Sequence, residues 1–328
     1  MSHWIADKNC KLPDFIISGA MKSGTTSLHA ILNQHPDIFI PDKELHFFDM
    51  DNPLQHPDFN SFKQGKWSTH NLAASTQQEA ESYWLWYQSQ FSGASGEQVL
   101  GEDSATYFAS PLFAKRIAQQ DKKIKIIVML RQPSLRAHSN YYHLLRSGRA
   151  TYSFEDTLKF NPSSVLNRSL YLDQIESIYK YLPKDQVKFV IFEQFLKNKT
   201  HCIKEICEFI DIDFSRLPKA ALDIHENKTK YPKFPKLQYL KNRWLPQGGN
   251  LQYKYQFKIN STELTFWQKL SVAKVLDVLH RKINPEVTIK PEKIKPSTKL
   301  FLDNYFKTEF EGIEKYLDDE VLNLWFDK

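Results

Sequence analysis

The chain has 328 residues, 41% hydrophobic and 25% charged, with a formal net charge of +6. These are the proportions of a soluble globular protein, and the modest positive excess suits an acidic ligand without arguing for nucleic acid. Three cysteines (Cys10, Cys202, Cys207) exclude a disulfide framework, and none has zinc-site spacing to another Cys or His, so reduced thiols in a cytoplasmic setting are expected. The opening MSHWIADKNCKLPD lacks the apolar centre of a signal peptide, and no run approaches the ~20 apolar residues of a membrane span.

In chain order, the first element is an apolar run at Phe15–Ile17 that enters FIISGAMKSGTTSL and continues as a helix with Leu28, Ile31 and Leu32 on one face. Gly19 and Gly24 have the separation of a Walker A loop, GxxxxGK[ST], but Thr25 stands where its lysine belongs and Lys22 lies inside the loop. A strand feeding a helix through small residues leaves backbone N–H groups and a positive dipole end facing the turn, which attract an anion. Lys22, Ser23, Gly24, Thr25, Thr26 and Ser27 are therefore candidates to hold one phosphate, with an ordinary Ser/Thr-rich helix cap as the alternative. Next comes HPDIFIPDKELHFFD, where Glu44 and His46 share a side if the segment is extended, followed by Asp49. Trp84, Trp86 and Tyr87 read as helix packing, and residues 98–103, QVLGED, as a strand.

A buried strand over 124–130 ends in Arg131; Pro133 stops it, Ser134 caps a helix, and Ser139 follows on that helix. An arginine at the carboxyl end of a strand lies where open α/β sheets bind ligands, and its fork suits a phosphate, although a structural salt bridge is the alternative. Two anion sites at two strand exits suggest a ligand with two separated phosphates. Helical patterns follow at Leu170–Leu182 and Ile203–Ile210, on either side of a strand at Val187–Phe192. Residues 228–260, rich in Lys, Pro and aromatics, read as a long irregular segment, and helix resumes from about Thr298. Strands alternating with helices predict an α/β fold: a P-loop-like parallel sheet flanked by helices on both faces, with an irregular and helical C-terminal extension. A single domain over 1–328 is expected, its core about 12–230 and an embellishment about 231–328.

With both segments in hand, the chain resembles the sulfotransferase family that uses 3′-phosphoadenosine 5′-phosphosulfate (PAPS), and within it the heparan-sulfate type. KSGTTSL is similar to the 5′-phosphosulfate loop, and LRQPSLRAHSNYYHLLRSG to the 3′-phosphate segment, with Arg131 and Ser139 in the binding positions. HPDIFIPDKELHFFD, WYQSQF, GEDSATYF, LNRSLYLDQIESIYKYLP, ENKTK and LNLWF follow in the family's order. The resemblance implies PAPS as co-substrate, the desulfated nucleotide PAP as product, and in-line transfer to an acceptor alcohol or amine, with a carbohydrate favoured. It implies Glu44 as base, His46 as second donor or alternative base, and Lys22 as stabiliser of the leaving phosphate. Asp49 would orient the acceptor or hold His46. Lys228, Thr229 and Lys230 would close on the nucleotide.

Tyr107, Arg146, Arg149 and Tyr171 are candidates for the acceptor side, with packing or solvated charge as the alternative. No metal is implied. Asp103 departs from the family, which often carries lysine there. Two rivals stand beside this reading. A P-loop kinase is disfavoured by Thr25 and by the lack of an obvious apolar strand ending in a magnesium-binding Asp. A non-catalytic nucleotide- or glycan-binding module would bind PAP and transfer nothing. Oligomeric state has no signature in the sequence.

Overall fold

The structure is a computed structural model that describes residues 3–56, 60–63, 66–69, 77–224, 230–244, 272–288 and 292–327. Its strands in chain order begin with β1 (Phe15–Gly19) and β2 (Ile38–Phe39), followed by an antiparallel hairpin of β3 (Asn60–Lys63) and β4 (Lys66–Thr69). Then come β5 (Val99–Asp103), β6 (Lys125–Leu130) and β7 (Val187–Ile191). The central sheet has the order β2-β5-β1-β6-β7, and every pairing in it is parallel. Successive strands are added on one side of β1 and then the other, so the crevice for a ligand opens at the carboxyl end of β1. There Ile17 lies opposite Asp103, and Gly19 opposite Val128.

Side chains alternate across the sheet as the pleat requires. Phe15, Ile17, Ile127 and Met129 pack on one face with Leu28, Ile31 and Leu32 of the helix Thr25–Leu32 and with Ile203, Ile206 and Cys207 of the helix Lys199–Phe209. Ile16, Ile126, Val128 and Leu130 pack on the other with Tyr87, Phe113, Ile175 and Ile178. This is the predicted α/β arrangement, with near-continuous apolar strands covered on both faces. The three thiols are free, and Cys202 and Cys207 are buried in one cluster.

Two expectations change. The segment read as irregular contains, over its described residues, a two-residue strand at Tyr231–Pro232 paired with Glu286–Val287 and a helix at Pro235–Trp244. Its buried positions are Gln238 and Asn242, one turn apart, rather than apolar residues, so no hydrophobic period announces it. Asn242 Nδ2 donates to Leu145 O (2.9 Å) and Ala150 O (2.8 Å) and so ties the segment to the end of the helix Pro133–Arg146. Second, the C-terminal helices Pro296–Glu309 and Asp319–Phe326 do not merely decorate the core. Leu302, Phe306, Phe310 and Trp325 lie in the same buried cluster as Ile16 and Ile126.

Candidate active site

The loop after β1 turns through Lys22 (φ 72°) and Gly24 (φ 98°), both in the left-handed region. A Cβ on Gly24 would stand 2.8 Å from the Phe192 ring, so glycine is required there on two counts. Ser23, Thr25 and Ser27 are buried, and Thr26 is exposed. Arg131 Nη1 donates to Lys22 O (3.2 Å) and Arg136 Nη1 to Met21 O (3.4 Å), so two guanidinium groups brace the loop from behind. Arg136 is fully buried and also holds Ser169 Oγ and Val165 O, each at 2.5 Å. Burial pushes the Lys22 amine down to about 8, helped by the Arg146, Arg131 and Arg136 charges and opposed by Glu44. Lys22 and Glu44 are thus close enough to feel one another's charge.

The acidic side is assembled around Glu102 on β5. Its carboxyl accepts hydrogen bonds from Tyr87 (2.5 Å), Tyr107 (2.6 Å) and Ser104 (2.9 Å). Burial pushes it up to about 7 against those three donors and the His46 charge. Ser104 Oγ in turn accepts from Leu45 N (3.1 Å) and His46 N (3.0 Å), and Tyr107 Oη from Phe48 N (3.0 Å). The segment carrying Glu44 is therefore hung on the end of β5 by hydroxyls.

Glu44 and His46 do meet, at Oε2–Nε2 3.1 Å, but not by extended-strand alternation: His46 has φ 52° and the segment is irregular. His46 Nδ1 bonds Thr106 Oγ1 (3.1 Å). The Glu44 side chain is 37% exposed while His46 is buried. Burial alone would raise the Glu44 pKa, yet the hydrogen bond and charge of His46, with Arg168 and Lys22, hold it below the usual carboxylate range. Burial likewise works against a charged His46, but Glu44, Asp49 and Glu102 outweigh it and raise that group.

Several acceptor-side candidates are elsewhere. Tyr107 is fully buried with its hydroxyl committed to Glu102 and Phe48; Tyr171 is fully buried and donates to Arg131 O (2.8 Å). Asp49 is fully buried and bonds His56 Nε2 at 2.7 Å. These three support the site from behind. Arg146 is exposed at the end of its helix, acting on Lys22 through its charge. His46, Asp49 and His56 each offer a ligand atom within 4.8 Å of one another, the spacing of a possible metal site; in this structure His56 is bonded to Asp49, and His46 to Glu44 and Thr106.

Asp103 ends β5, the strand expected over 98–103, beside β1; this is the placement a P-loop kinase would need, although the strand is not the obvious apolar run whose lack counts against that rival. It is buried, pushed up to about 6 by burial and opposed by His29, whose Nδ1 lies 3.4 Å away.

At the neighbouring exit, Arg131 lies over the Phe192 ring (5.0 Å), and its buried Nε meets no hydrogen-bond partner among the described residues. Ser139 is half-buried on the following helix and Lys230 is exposed; Lys228 and Thr229 lie outside the described residues. The loop, its helix N-terminus and this guanidinium fit anionic groups at adjacent strand ends.

Beside them opens a cavity of about 580 Å³ lined by Met21, Gln55, Asn140, Arg149, Asn167 and Arg168, among others. Arg168 donates to Gln55 Oε1 (3.0 Å) and Gln55 O (3.1 Å). His143, also on the wall, is driven down to about 2 by burial and by Lys22, Arg149, Arg146 and Arg168. Sequence reading missed Arg136, Arg168 and His56, since nothing local to LRAH, LNRS or LQHP distinguishes a site residue from a solvated one.

The chain is 25% identical over 214 residues to a mouse heparan sulfate glucosamine 3-O-sulfotransferase 5, which covers 62% of this chain and 54% of that protein. It is 27% identical over 231 residues to the human bifunctional heparan sulfate N-deacetylase/N-sulfotransferase 2, covering 64% of this chain and 23% of that protein. The chain thus spans about half or less of the length of these curated relatives. A sulfotransferase structure from Alicyclobacillus acidocaldarius shares the fold, with a TM-score of 0.57 at 22% identity over 93% of this chain and 95% of that one. The sulfotransferase domain family matches residues 12–283, and the chain belongs to that family.

Proposed function

We propose that this protein moves a sulfuryl group from PAPS to a hydroxyl or amine of a carbohydrate acceptor seated in the cavity beside Arg168. The observation that carries the reading is that the glycine-turned loop bearing Lys22 follows β1 while the Glu44–His46 pair is held at the end of the adjacent β5, near enough for Lys22 and Glu44 to shift one another's proton affinity. Lys22, the helix N-terminus and Gly24 would hold the 5′ end of the nucleotide, and Arg131 with Ser139 its 3′-phosphate. When bound, the nucleotide supplies the sulfuryl group and a phosphate leaving group. Glu44 takes the acceptor's proton as the new oxygen–sulfur or nitrogen–sulfur bond forms. Its depressed pKa keeps it ionised, and His46 donates to it and fixes its orientation. Lys22 and the loop N–H groups hold the charge that builds on the departing phosphate oxygen. Support for a carbohydrate comes from the amide-rich cavity wall and from the names of the curated relatives.

The test is an acceptor panel with radiolabelled sulfate donor. Glu44→Gln is expected to lower turnover by ~10²–10⁴ while leaving PAP affinity intact. Lys22→Ala is expected to cost ~3–4 kcal/mol in barrier and also to weaken PAP binding. Parent-like rates in both variants would rule out these roles.

A further inference from the structure

The turn after Asp49 folds back so that His56, which no motif singles out, becomes part of the acidic side of the site. Asn52 N donates to Asp49 O (2.8 Å), and His56 N to Asn52 O (2.9 Å). The turn is pinned to the core by Asn52 Nδ2 on Ser110 Oγ (3.1 Å), by Gln55 Nε2 on Ala109 O (3.0 Å) and by the Arg168 contacts to Gln55. The His56 ring then stands edge-on to His46, centroids 4.9 Å apart, with its Nε2 2.7 Å from Asp49 Oδ1. Both members of that pair are buried.

We infer that His56 is a positioning residue for transfer: its Nε2–H tethers the buried Asp49 carboxylate beside His46, which in turn holds Glu44. The inference rests on the transferase reading above for its kinetic consequence, but its geometry stands apart from it. Two imidazoles this close do not both carry charge comfortably. His46 has Glu44, Asp49 and Glu102 around it, which favour its charged form. Burial, aided by the His46 and Arg168 charges, outweighs Asp49 at His56 and favours its neutral form. A neutral imidazole with its proton on Nε2 can donate to Asp49 without adding a second cation. Without that donor, Asp49 is a buried carboxylate deprived of its one hydrogen bond on Oδ1, while Oδ2 already meets none among the described residues. Such a group is no longer held beside His46, which loses part of its counter-charge, and the His46 hold on Glu44 weakens.

The sign of the kinetic effect follows. Glu44 acts ionised, so raising its proton affinity moves the acid limb of kcat/KM to higher pH. In His56→Phe, which keeps a ring but no donor, that limb should move up by about one pH unit, so kcat/KM at a pH on the parent's acid limb should fall about tenfold while the plateau well above it stays near the parent value. Affinity for PAP should stay within about twofold of the parent, since His56 acts on the acceptor side. His56→Gln places an amide N–H near the Nε2 position and should restore most of the rate and the parent pH profile. A merely structural histidine would give Phe and Gln variants of equal loss with the limb unmoved, and that result overturns the inference.

Nitrogen-15 spectra of histidine-labelled parent protein give a readout without turnover, assigned with His46→Asn and His56→Gln. His46 is expected cationic and His56 neutral with the proton on Nε2 at pH 7. A His56 that is charged, or carries its proton on Nδ1, overturns the inference even if transfer is fully active. Conversely, the expected spectrum in a protein that transfers no sulfate to any acceptor leaves the tether standing and removes the transfer reading instead.

Discussion

Glu102 illustrates how much of the site is built by single buried polar groups. Its carboxyl, raised to about 7, is protonated in the folded protein at pH values where the unfolded chain has already lost the proton. Stability from this group is fully present below its unfolded value near 4.5 and is lost as pH rises through about 7. At about 1.4 kcal/mol per pKa unit, the pH-dependent part amounts to roughly 3 kcal/mol. The stability difference between parent and Glu102→Gln, followed by denaturant titration from pH 4.5 to pH 8, should shift by that order in favour of the variant. A flat difference would mean Glu102 is charged throughout. Gly24→Ala belongs to this scale too: the left-handed φ and the Phe192 ring both oppose a Cβ, so calorimetry should show PAP binding weakened at least tenfold. Lys22 gives the opposite limb to Glu44. It carries charge only below about 8, so kcat/KM should fall above that pH, and Lys22→Arg should remove the fall.

At the scale of elements, the C-terminal helix Asp319–Phe326 reaches the nucleotide side through Trp325. Its Nε1 donates to Glu193 Oε2 (3.0 Å), Glu193 Oε1 accepts from Gln132 N (3.0 Å), and Gln132 Nε2 bonds Trp325 O. Gln132 is the residue after Arg131, so the far end of the chain holds the guanidinium's backbone in place. Trp325→Phe keeps a ring in the fully buried position but leaves the Glu193 oxygen without its donor. Stability should drop by about 1–3 kcal/mol, and the PAP dissociation constant should rise several-fold. An unchanged constant with lowered stability would assign the helix to packing alone. The helix Pro235–Trp244 escaped sequence reading because its buried stripe is polar: Gln238 donates to Asn242 Oδ1, and Asn242 to backbone carbonyls at and just beyond another helix's end. Hydrophobic periodicity detects only faces that bury apolar area.

At the scale of the whole molecule, one hydrophobic cluster runs from Leu12 to Trp325. A division into core and embellishment near residue 230 would cut through it. We therefore expect one cooperative unfolding transition by calorimetry. Phe306→Ala should lower stability by about 3–5 kcal/mol, as for a core aromatic, although it lies in the last thirty residues. Two separate transitions would instead mark an independent C-terminal unit.

The amino-acid sequence by itself determined the strand–loop–helix at Phe15–Leu32, the displaced lysine, the arginine ending the strand before Pro133, and with them the parallel α/β plan. Each of these is written within a few residues, because backbone donors, glycine conformations and apolar runs act locally. It also brought Glu44 and His46 together as a pair, though the left-handed turn at His46 rather than strand alternation makes the contact. Only the tertiary structure decided that Tyr107, Tyr171 and Asp49 are buried, that Arg136 reaches the loop at Met21, that Arg168 lines the cavity and His56 meets Asp49, and that the C-terminal helices join the core. Those contacts join residues far apart in the chain, such as Gln132 and Trp325, which are 193 positions apart. They exist because the sheet sets its strands' carboxyl ends side by side and the chain must bury its remaining apolar surface around them.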